Sequence, residues 1–302
     1  MRKVLTFYKF TTVADPTAVR EVLLERGESL GIKGTLLIAE EGLNGTIVGE
    51  AGALRSFAAA MEQEFGRIPY KWSDLDQANP GFYRFKIKLK KEIVTLGIEG
   101  LDPLQTGQHV SPEEWNQLLD DPDVVVIDTR NTYEIDIGTF PGSVSPETTN
   151  FREFPGWVAQ NLDPAENRRV AMFCTGGIRC EKAAAYMLSE GFENVYQLNG
   201  GVLSYLEHVE PEQNKWQGEC FVFDQRVSVN ADLTQGDYRQ CFACRHPVSA
   251  DDMRSELYEA GVSCPHCHAR DDTARRASLR ERQKQVALAE ERGEQHIGAR
   301  QG

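Results

Sequence analysis

Two uninterrupted apolar runs, Val-Val-Val-Ile at residues 124–127 and Val-Ala-Met-Phe at 170–173, most constrain what this chain can fold into. Neither alternates with polar residues and both are too short for a buried helix. Each therefore reads as a strand covered on both faces, the signature of a parallel sheet. Helical patterns surround them: one over 111–119 opens with Ser111 as N-cap and Pro112 in the first turn, and another over 180–190 is stopped by Gly191. With a third strand at 195–198, the segment 108–210 is expected to form a doubly wound α/β domain.

The residues before it follow another plan. Residues 4–10 alternate, 16–30 and 52–65 have helical period, 35–39 and 46–48 flank a turn at 40–45, and 83–96 supplies the last strand. The order β-α-β-β-α-β predicts a ferredoxin-like (acylphosphatase-like) α+β sandwich over 1–98, with two helices on one sheet face and the other face open. Gly100, Pro103 and Gly107 mark a linker. The remainder, 211–302, turns polar and cysteine-rich, then ends in a charged helical stretch at 273–292.

No apolar run approaches membrane-span length and the N-terminus lacks a signal-peptide core, so a cytoplasmic protein without membrane partners is expected. Seven cysteines, an odd number, argue for metal binding or thiol chemistry in a reducing compartment. The net charge of −13 is unevenly spread: residues 101–269 hold 27 Asp and Glu against 11 Lys and Arg, residues 1–100 hold 13 against 14. The ends of the chain thus stay free to meet nucleic acid.

Cys174 follows the second apolar run, at the carboxyl end of a parallel strand, where open α/β sheets place their ligands. Thr175, Gly176, Gly177 and Ile178 lead on to Arg179 and a helix. Glycines let successive N–H groups turn inward as an anion nest, the helix N-terminus adds partial positive charge, and Arg179 adds a permanent cation. Such surroundings make a thiol nucleophilic at neutral pH, which is what carrying sulfur as a persulfide requires. Cys180 either resolves an oxidised or persulfidated Cys174 by thiol exchange or packs a helix, and packing is the preferred reading. Cys220 reads as strand interior.

Cys241-Phe-Ala-Cys244 and Cys264-Pro-His-Cys267 are CxxC knuckles separated by 19 residues, the spacing of a closed structural zinc site. His246, His266 and His268 lie close enough to replace one cysteine, and a pair of redox-active dithiols is the competing reading. Arg84, Lys86, Lys88 and Lys90 alternate with Tyr83, Phe85, Ile87 and Leu89, so a strand here projects four cations from one face. These either contact RNA phosphates or form a solvated edge, and the cluster Arg275, Arg276, Arg280, Arg282 and Lys284 has the same two readings.

Asp128-Thr129-Arg130, Tyr133-Glu134, Gly138, Pro141-Gly142 and the loop from Cys174 to Arg179 resemble, in that order, the elements of rhodanese domains. Thr139-Phe140 stands where that family usually has a His before Ile-Pro-Gly. The resemblance implies that Asp128 and Arg130 are mainly structural and that Cys174 takes up sulfane sulfur. The six-residue loop has the length associated with sulfur transfer, where related phosphatases use a longer one.

Along the whole chain, Ala39-Glu40-Glu41-Gly42-Leu43-Asn44-Gly45-Thr46, Lys90-Lys91-Glu92-Ile93-Val94, Gly218-Glu219-Cys220-Phe221-Val222-Phe223-Asp224 and the double CxxC resemble the bacterial tRNA uridine-34 hydroxylases. Glu281-Arg282-Gln283 and Arg292-Gly293-Glu294 extend the likeness. It implies oxygen-dependent conversion of the wobble uridine of tRNA to 5-hydroxyuridine, with Cys174 as the persulfide-forming catalytic thiol. It also implies tRNA as partner, O2 as co-substrate and a sulfur or electron donor. The sequence carries no flavin fingerprint and no two-His-one-carboxylate iron motif. The alternatives are a thiosulfate or persulfide sulfurtransferase using the same cysteine, and a non-catalytic zinc adaptor.

Overall fold

The computed structural model describes residues 2–75, 82–270 and 273–292. The N-terminal unit runs β1 (Arg2–Phe10), α1 (Pro16–Ser29), β2 (Lys33–Ala39), β3 (Gly42–Glu50), α2 (Ala51–Phe65), β4 (Tyr70–Asp74) and β5 (Phe85–Leu89). Asp15 caps α1 by accepting the N–H groups of Thr17 and Ala18. The sheet order is β4-β1-β3-β2-β5, with only the β2–β5 pair parallel. Leu5, Phe7, Leu36 and Ile47 of the sheet pack against Leu23 of α1 and Leu54, Phe57 and Met61 of α2.

Two expectations need correction. The strand that completes the ferredoxin-like pattern is β4, beside β1, and not the segment 83–96. That segment contributes only β5, appended at the opposite edge. Tyr-Lys-Trp-Ser-Asp of β4 carries too little apolar signal to announce a strand; its register against Lys3–Phe7 of β1 makes it one. The second correction concerns the sheet face away from the helices, which is not open. The segment after β5 folds over part of it, so that Ile93 packs with Phe10 and Ala39, and Tyr8 and Ile178 close the same cluster.

The central unit contains β6 (Gln108–Val110), α3 (Pro112–Asp120), β7 (Val125–Asp128), α4 (Thr132–Ile135), β8 (Gly138–Thr139), α5 (Phe154–Asn161), β9 (Arg169–Phe173), α6 (Ile178–Ser189), β10 (Asn194–Leu198) and α7 (Gly201–His208). Its four-stranded sheet has the order β6-β10-β9-β7 and is parallel throughout. Ser111 and Glu114 close a capping box on α3. Phe173 and Val126 bury with Trp115, Phe140 and Tyr205 on one side, while Met172 and Ile127 bury with Phe154 and Met187 on the other. Helices cover both faces, so the strands need no polar alternation.

Beyond α7, β11 (Gln217–Gly218) pairs with β8, and β12 (Cys220–Phe221) with β13 (Ser228–Val229). The two-stranded β14 (Arg239–Gln240) and β15 (Pro247–Val248), α8 (Ala250–Arg254) and α9 (Thr273–Glu291) follow. Among the described residues no helix is long and apolar enough to cross a membrane.

One lysine ties the first two units. Lys182, on α6 and 3% exposed, pairs with Glu41 Oε2 at 2.7 Å and Glu92 Oε2 at 2.6 Å. Glu41 Oε1 in turn accepts from Ile93 N at 2.6 Å, and Glu92 accepts from Leu96 N at 3.0 Å. Burial alone would raise Glu92, but the Lys182 ammonium and these amides hold its carboxyl below the usual range. A carboxyl lowered in this way stabilises the fold above its unfolded value, and the contribution is lost as pH falls through the carboxylate range. Lys182→Met leaves the two carboxylates facing one another and should cost about 2 kcal/mol, measured as a lower urea midpoint. It should also flatten the acid side of the stability profile; an unchanged midpoint would show that the contact is idle.

Candidate active site and metal centre

The chemistry of the loop begins with its backbone. Gly177 adopts φ 100°, a left-handed conformation that an L side chain rarely takes, and a Cβ there would lie 2.9 Å from Tyr8 Oη. This turn aims Gly177 N–H at Cys174 Sγ, 3.1 Å away. The backbone N–H groups of Arg179 and Cys180, in the first turn of α6, add to the cradle. A second helix pins the loop from the other side: Val202 N donates to Cys174 O at 2.9 Å and Leu203 N to Thr175 O at 3.1 Å. Gly201 permits that approach, since a Cβ on it would sit 2.4 Å from Cys174 O.

Cys174 is 0% exposed. Burial alone would raise its pKa, yet the Cys180 thiol, the Arg179 charge and the amides of Arg179 and Cys180 outweigh it and hold Cys174 down to about 5. It is therefore the more acidic thiol of the pair it forms with Cys180. Cys180, also fully buried, moves the other way: burial and the neighbouring Cys174 push its thiol up. Cys180 packs in the core beside Thr129, whose Oγ1 lies 3.7 Å from its sulfur. Cys220 is interior as expected, with burial pushing its thiol up to about 12.

Arg179 does not point at the thiol as a free cation. Its guanidinium forks onto Glu134, with Nη1 to Oε2 at 2.6 Å and Nη2 to Oε1 at 2.7 Å, and Thr175 Oγ1 donates to the same carboxylate at 3.2 Å. Burial alone would raise Glu134, but Arg179 holds it below the usual carboxylate range. Arg179 thus positions the loop more than it offers a docking charge. Asp128 and Arg130 form a second buried fork at 2.9 and 2.6 Å, with Arg130 over the Trp216 ring at 4.9 Å. Thr139 Oγ1 donates to Asp128 Oδ2 at 2.8 Å and so completes that pair.

The N-terminal sheet supplies groups that no local sequence signal marked. Tyr8, on β1, donates to Glu181 Oε1 at 3.1 Å, and Lys71, on β4, donates to Gly200 O. Glu181 also faces His109 Nε2 at 3.0 Å and takes Gln197 Nε2 at 3.1 Å. Burial and the nearby charges of Glu181 and Cys174 keep the Tyr8 phenol neutral.

Comparison with known proteins matches this geometry in two pieces. Residues 111–208 fit the family model described as a rhodanese-like domain, and residues 2–93 the one described as UPF0176 acylphosphatase like domain. The central unit is a rhodanese-like domain. Among solved structures, a rhodanese-like domain protein from Staphylococcus aureus is 21% identical, over 32% of this chain and 90% of that chain, with a TM-score of 0.28. A rhodanese-like domain from Anabaena sp. is 18% identical, over 36% and 78%, with a TM-score of 0.30. The acylphosphatase from Bacillus subtilis is 18% identical, over 29% and 99%, with a TM-score of 0.24. The rhodanese-like domain suggests an enzyme with a catalytic cysteine.

The four knuckle cysteines converge. Their sulfurs lie within 4.8 Å of one another, with Cys244 to Cys264 at 3.7 Å and Cys264 to Cys267 at 3.8 Å. Four thiolates around one zinc at its usual bond length stand about 3.8 Å apart, so the donor set fits the ion. Cys241, Cys244, Cys264 and Cys267 would hold it, and it would supply folding free energy with no open position for substrate. The thiols form one group rather than two separate dithiols. His246 and His266 stack at 3.7 Å and face Asp136 and Asp252, each at 3.5 Å.

In the C-terminal cluster, Arg275 Nη2 donates to Ala243 O at 2.7 Å, Arg276 to the carbonyls of His268 and Arg270, and Arg280 pairs with Glu259 at 2.6 Å. These three cations anchor α9 to the metal unit, which leaves Arg282 and Lys284 exposed. Gly293 and Glu294 lie outside the described residues. Cys241→Ser or Cys264→Ser should lower bound zinc below one per chain and unfold the C-terminal unit, while the rhodanese-like domain keeps its protease resistance. Full zinc content in both variants would remove these residues from the ligand set.

Proposed function

We propose that this chain is an RNA-modifying enzyme acting through Cys174, and that its reaction is the oxygen-dependent hydroxylation of the wobble uridine of tRNA to 5-hydroxyuridine. One observation carries the reading. The face of the N-terminal sheet that sets Tyr8 and Lys71 against the Cys174 loop is the face from which the basic strand projects its cations. Lys71 pairs with Thr6, Thr6 with Thr46, Thr46 with Thr35 and Thr35 with Lys86. Directly opposed residues point to the same side, so this row crosses all five strands, about 19 Å at the usual spacing. A second row runs from Tyr8 through Asn44 and Leu37 to Lys88. Arg84, Lys86, Lys88 and Lys90 are exposed at the far edge.

A single strand of RNA laid across these rows meets cations first, then hydroxyls and an amide, and ends at the loop that buries the thiol. On a chain at −13, an anionic partner is held only where local positive charge outweighs the field of the whole. Placing one oxygen atom on the uridine C5 and reducing the other to water consumes two electrons and two protons. A reductant from outside the chain must supply them. A closed zinc site cannot bind O2, so the metal's part is to fold the C-terminal unit. Acting on tRNA would place the protein in the cytoplasm.

A sulfurtransferase is the second reading, favoured by a specific feature: the cradle around Cys174 is complete without any RNA. Mass analysis of tRNA separates the two. In cells lacking this protein, wild type should restore 5-hydroxyuridine at position 34 and Cys174→Ser should not. Restoration by the Ser variant would reject thiol-based modification. In binding, Lys86→Ala combined with Lys88→Ala should weaken affinity across tRNA sequences and reduce the salt slope by about two units. An unaltered slope would make β5 a solvated edge and move the search to Arg282 and Lys284.

A further inference from the structure

We propose that Lys71 completes the Cys174 site from the other domain, as the cation that faces the anionic sulfur this cysteine carries. The inference deepens the reading above and rests on Cys174 being a thiolate. Its basis is geometric. Lys71 Nζ donates to Gly200 O, and a Cβ on Gly200 would lie 2.9 Å from that nitrogen. A Cβ on Gly177 would in turn lie 3.4 Å from Gly200 Cα, and Gly177 N–H is the group that donates to Cys174 Sγ at 3.1 Å. Ammonium and thiolate therefore flank one glycine-to-glycine contact, each from its own domain.

Charge accounting points the same way. Arg179 is spent on Glu134, Arg130 on Asp128, and Lys182 on Glu41 and Glu92. Among the described residues, no carboxylate forms an ion pair with Lys71. A largely buried ammonium without a carboxylate is costly, and it persists where another anion shares its field. Cys174 is that anion: burial lowers Lys71 to about 8, and the charge of Cys174, followed by those of Glu207 and Cys220, opposes the fall. Around Cys174 itself the remaining titratable groups are Cys180, Arg179, Tyr8 and Cys220.

The chemistry gives Lys71 work that the backbone cradle cannot do. With thiosulfate as donor, the Cys174 thiolate attacks the outer sulfur and a new S–S bond forms. The bond from that sulfur to the sulfonate breaks, its electron pair leaves with sulfite, and Cys174 remains as a persulfide anion. Charge is conserved, with no outside oxidant. The negative charge now sits one atom beyond Sγ, farther from the amides of Gly177, Arg179 and Cys180. An ammonium across the loop meets it there.

The test reads the thiolate directly. The ultraviolet thiolate absorbance of the full-length protein is titrated against pH, each protein measured against its own Cys174→Ser counterpart so that the other thiols cancel. Lys71→Gln, which keeps a donor for Gly200 O but not the charge, should raise the Cys174 midpoint by about one pH unit, and Lys71→Arg should restore it. Ser73→Ala, which removes the 3.2 Å contact from Arg226 of the C-terminal unit to the same strand, should leave it unmoved. Persulfide formation from thiosulfate, followed by intact mass, should slow roughly tenfold in Lys71→Gln only. A low wild-type midpoint untouched by Lys71→Gln overturns the Lys71 proposal alone. An equal shift in Ser73→Ala also overturns it, because domain seating would then be the cause. A wild-type midpoint at the ordinary thiol value overturns the thiolate reading of Cys174 and the proposal with it.

Discussion

A thiolate removed from water must be compensated by fixed dipoles and charges, and the architecture around Cys174 follows from that requirement. The parallel sheet brings the strand end and two helix starts to one point. α6 contributes inward N–H groups, and α7 spends its first amides on the loop carbonyls, so the loop cannot relax away from its cradle. Glu134 fixes Arg179 so that its field and its backbone serve the thiol while its guanidinium stays put. Each group is held by a second one, which is how a buried anion is kept at low reorganisation cost.

The part of this legible in the sequence was the part encoded locally. The runs at 124–127 and 170–173, the Ser111 cap and the Gly191 stop each specify their own element, and the structure places strands and helices there. The CxxC spacing worked for the same reason, since two thiols on one turn constrain each other without help from the rest of the chain. What was hidden depends on register and long-range contact. β4 is a strand only because β1 pairs with it, and Lys71 and Tyr8 look like ordinary strand residues until the two units dock. The sequence marks Arg179 as a permanent cation but not its engagement, because its partner, Glu134, lies 45 residues upstream. The covered sheet face escaped for a like reason: Ile93 and Ile178, which cover it, come from the segment after β5 and from another domain.

The metal unit is more than an appendage to this arrangement. His246, beside the knuckles, faces Asp136, and its ring meets Tyr133 at 6.2 Å. Tyr133 and Asp136 bracket Glu134 on the short helix α4, so the carboxylate that fixes Arg179 is itself buttressed from the C-terminal side. The thiol is thus approached from both ends of the chain, by the N-terminal sheet over the loop and by the C-terminal unit behind α4.

The order in which these parts leave the ribosome gives the cover on the thiol a temporal meaning. β1 and β4, which carry Tyr8 and Lys71, are made roughly a hundred residues or more before Cys174, and domains tend to fold as they emerge. By the time the nucleophile is synthesised, its shield is already a finished surface waiting for it. α6 and α7, which build the cradle and receive Tyr8 and Lys71, are made after Cys174, so the thiol is covered by a surface already folded as soon as its own domain closes.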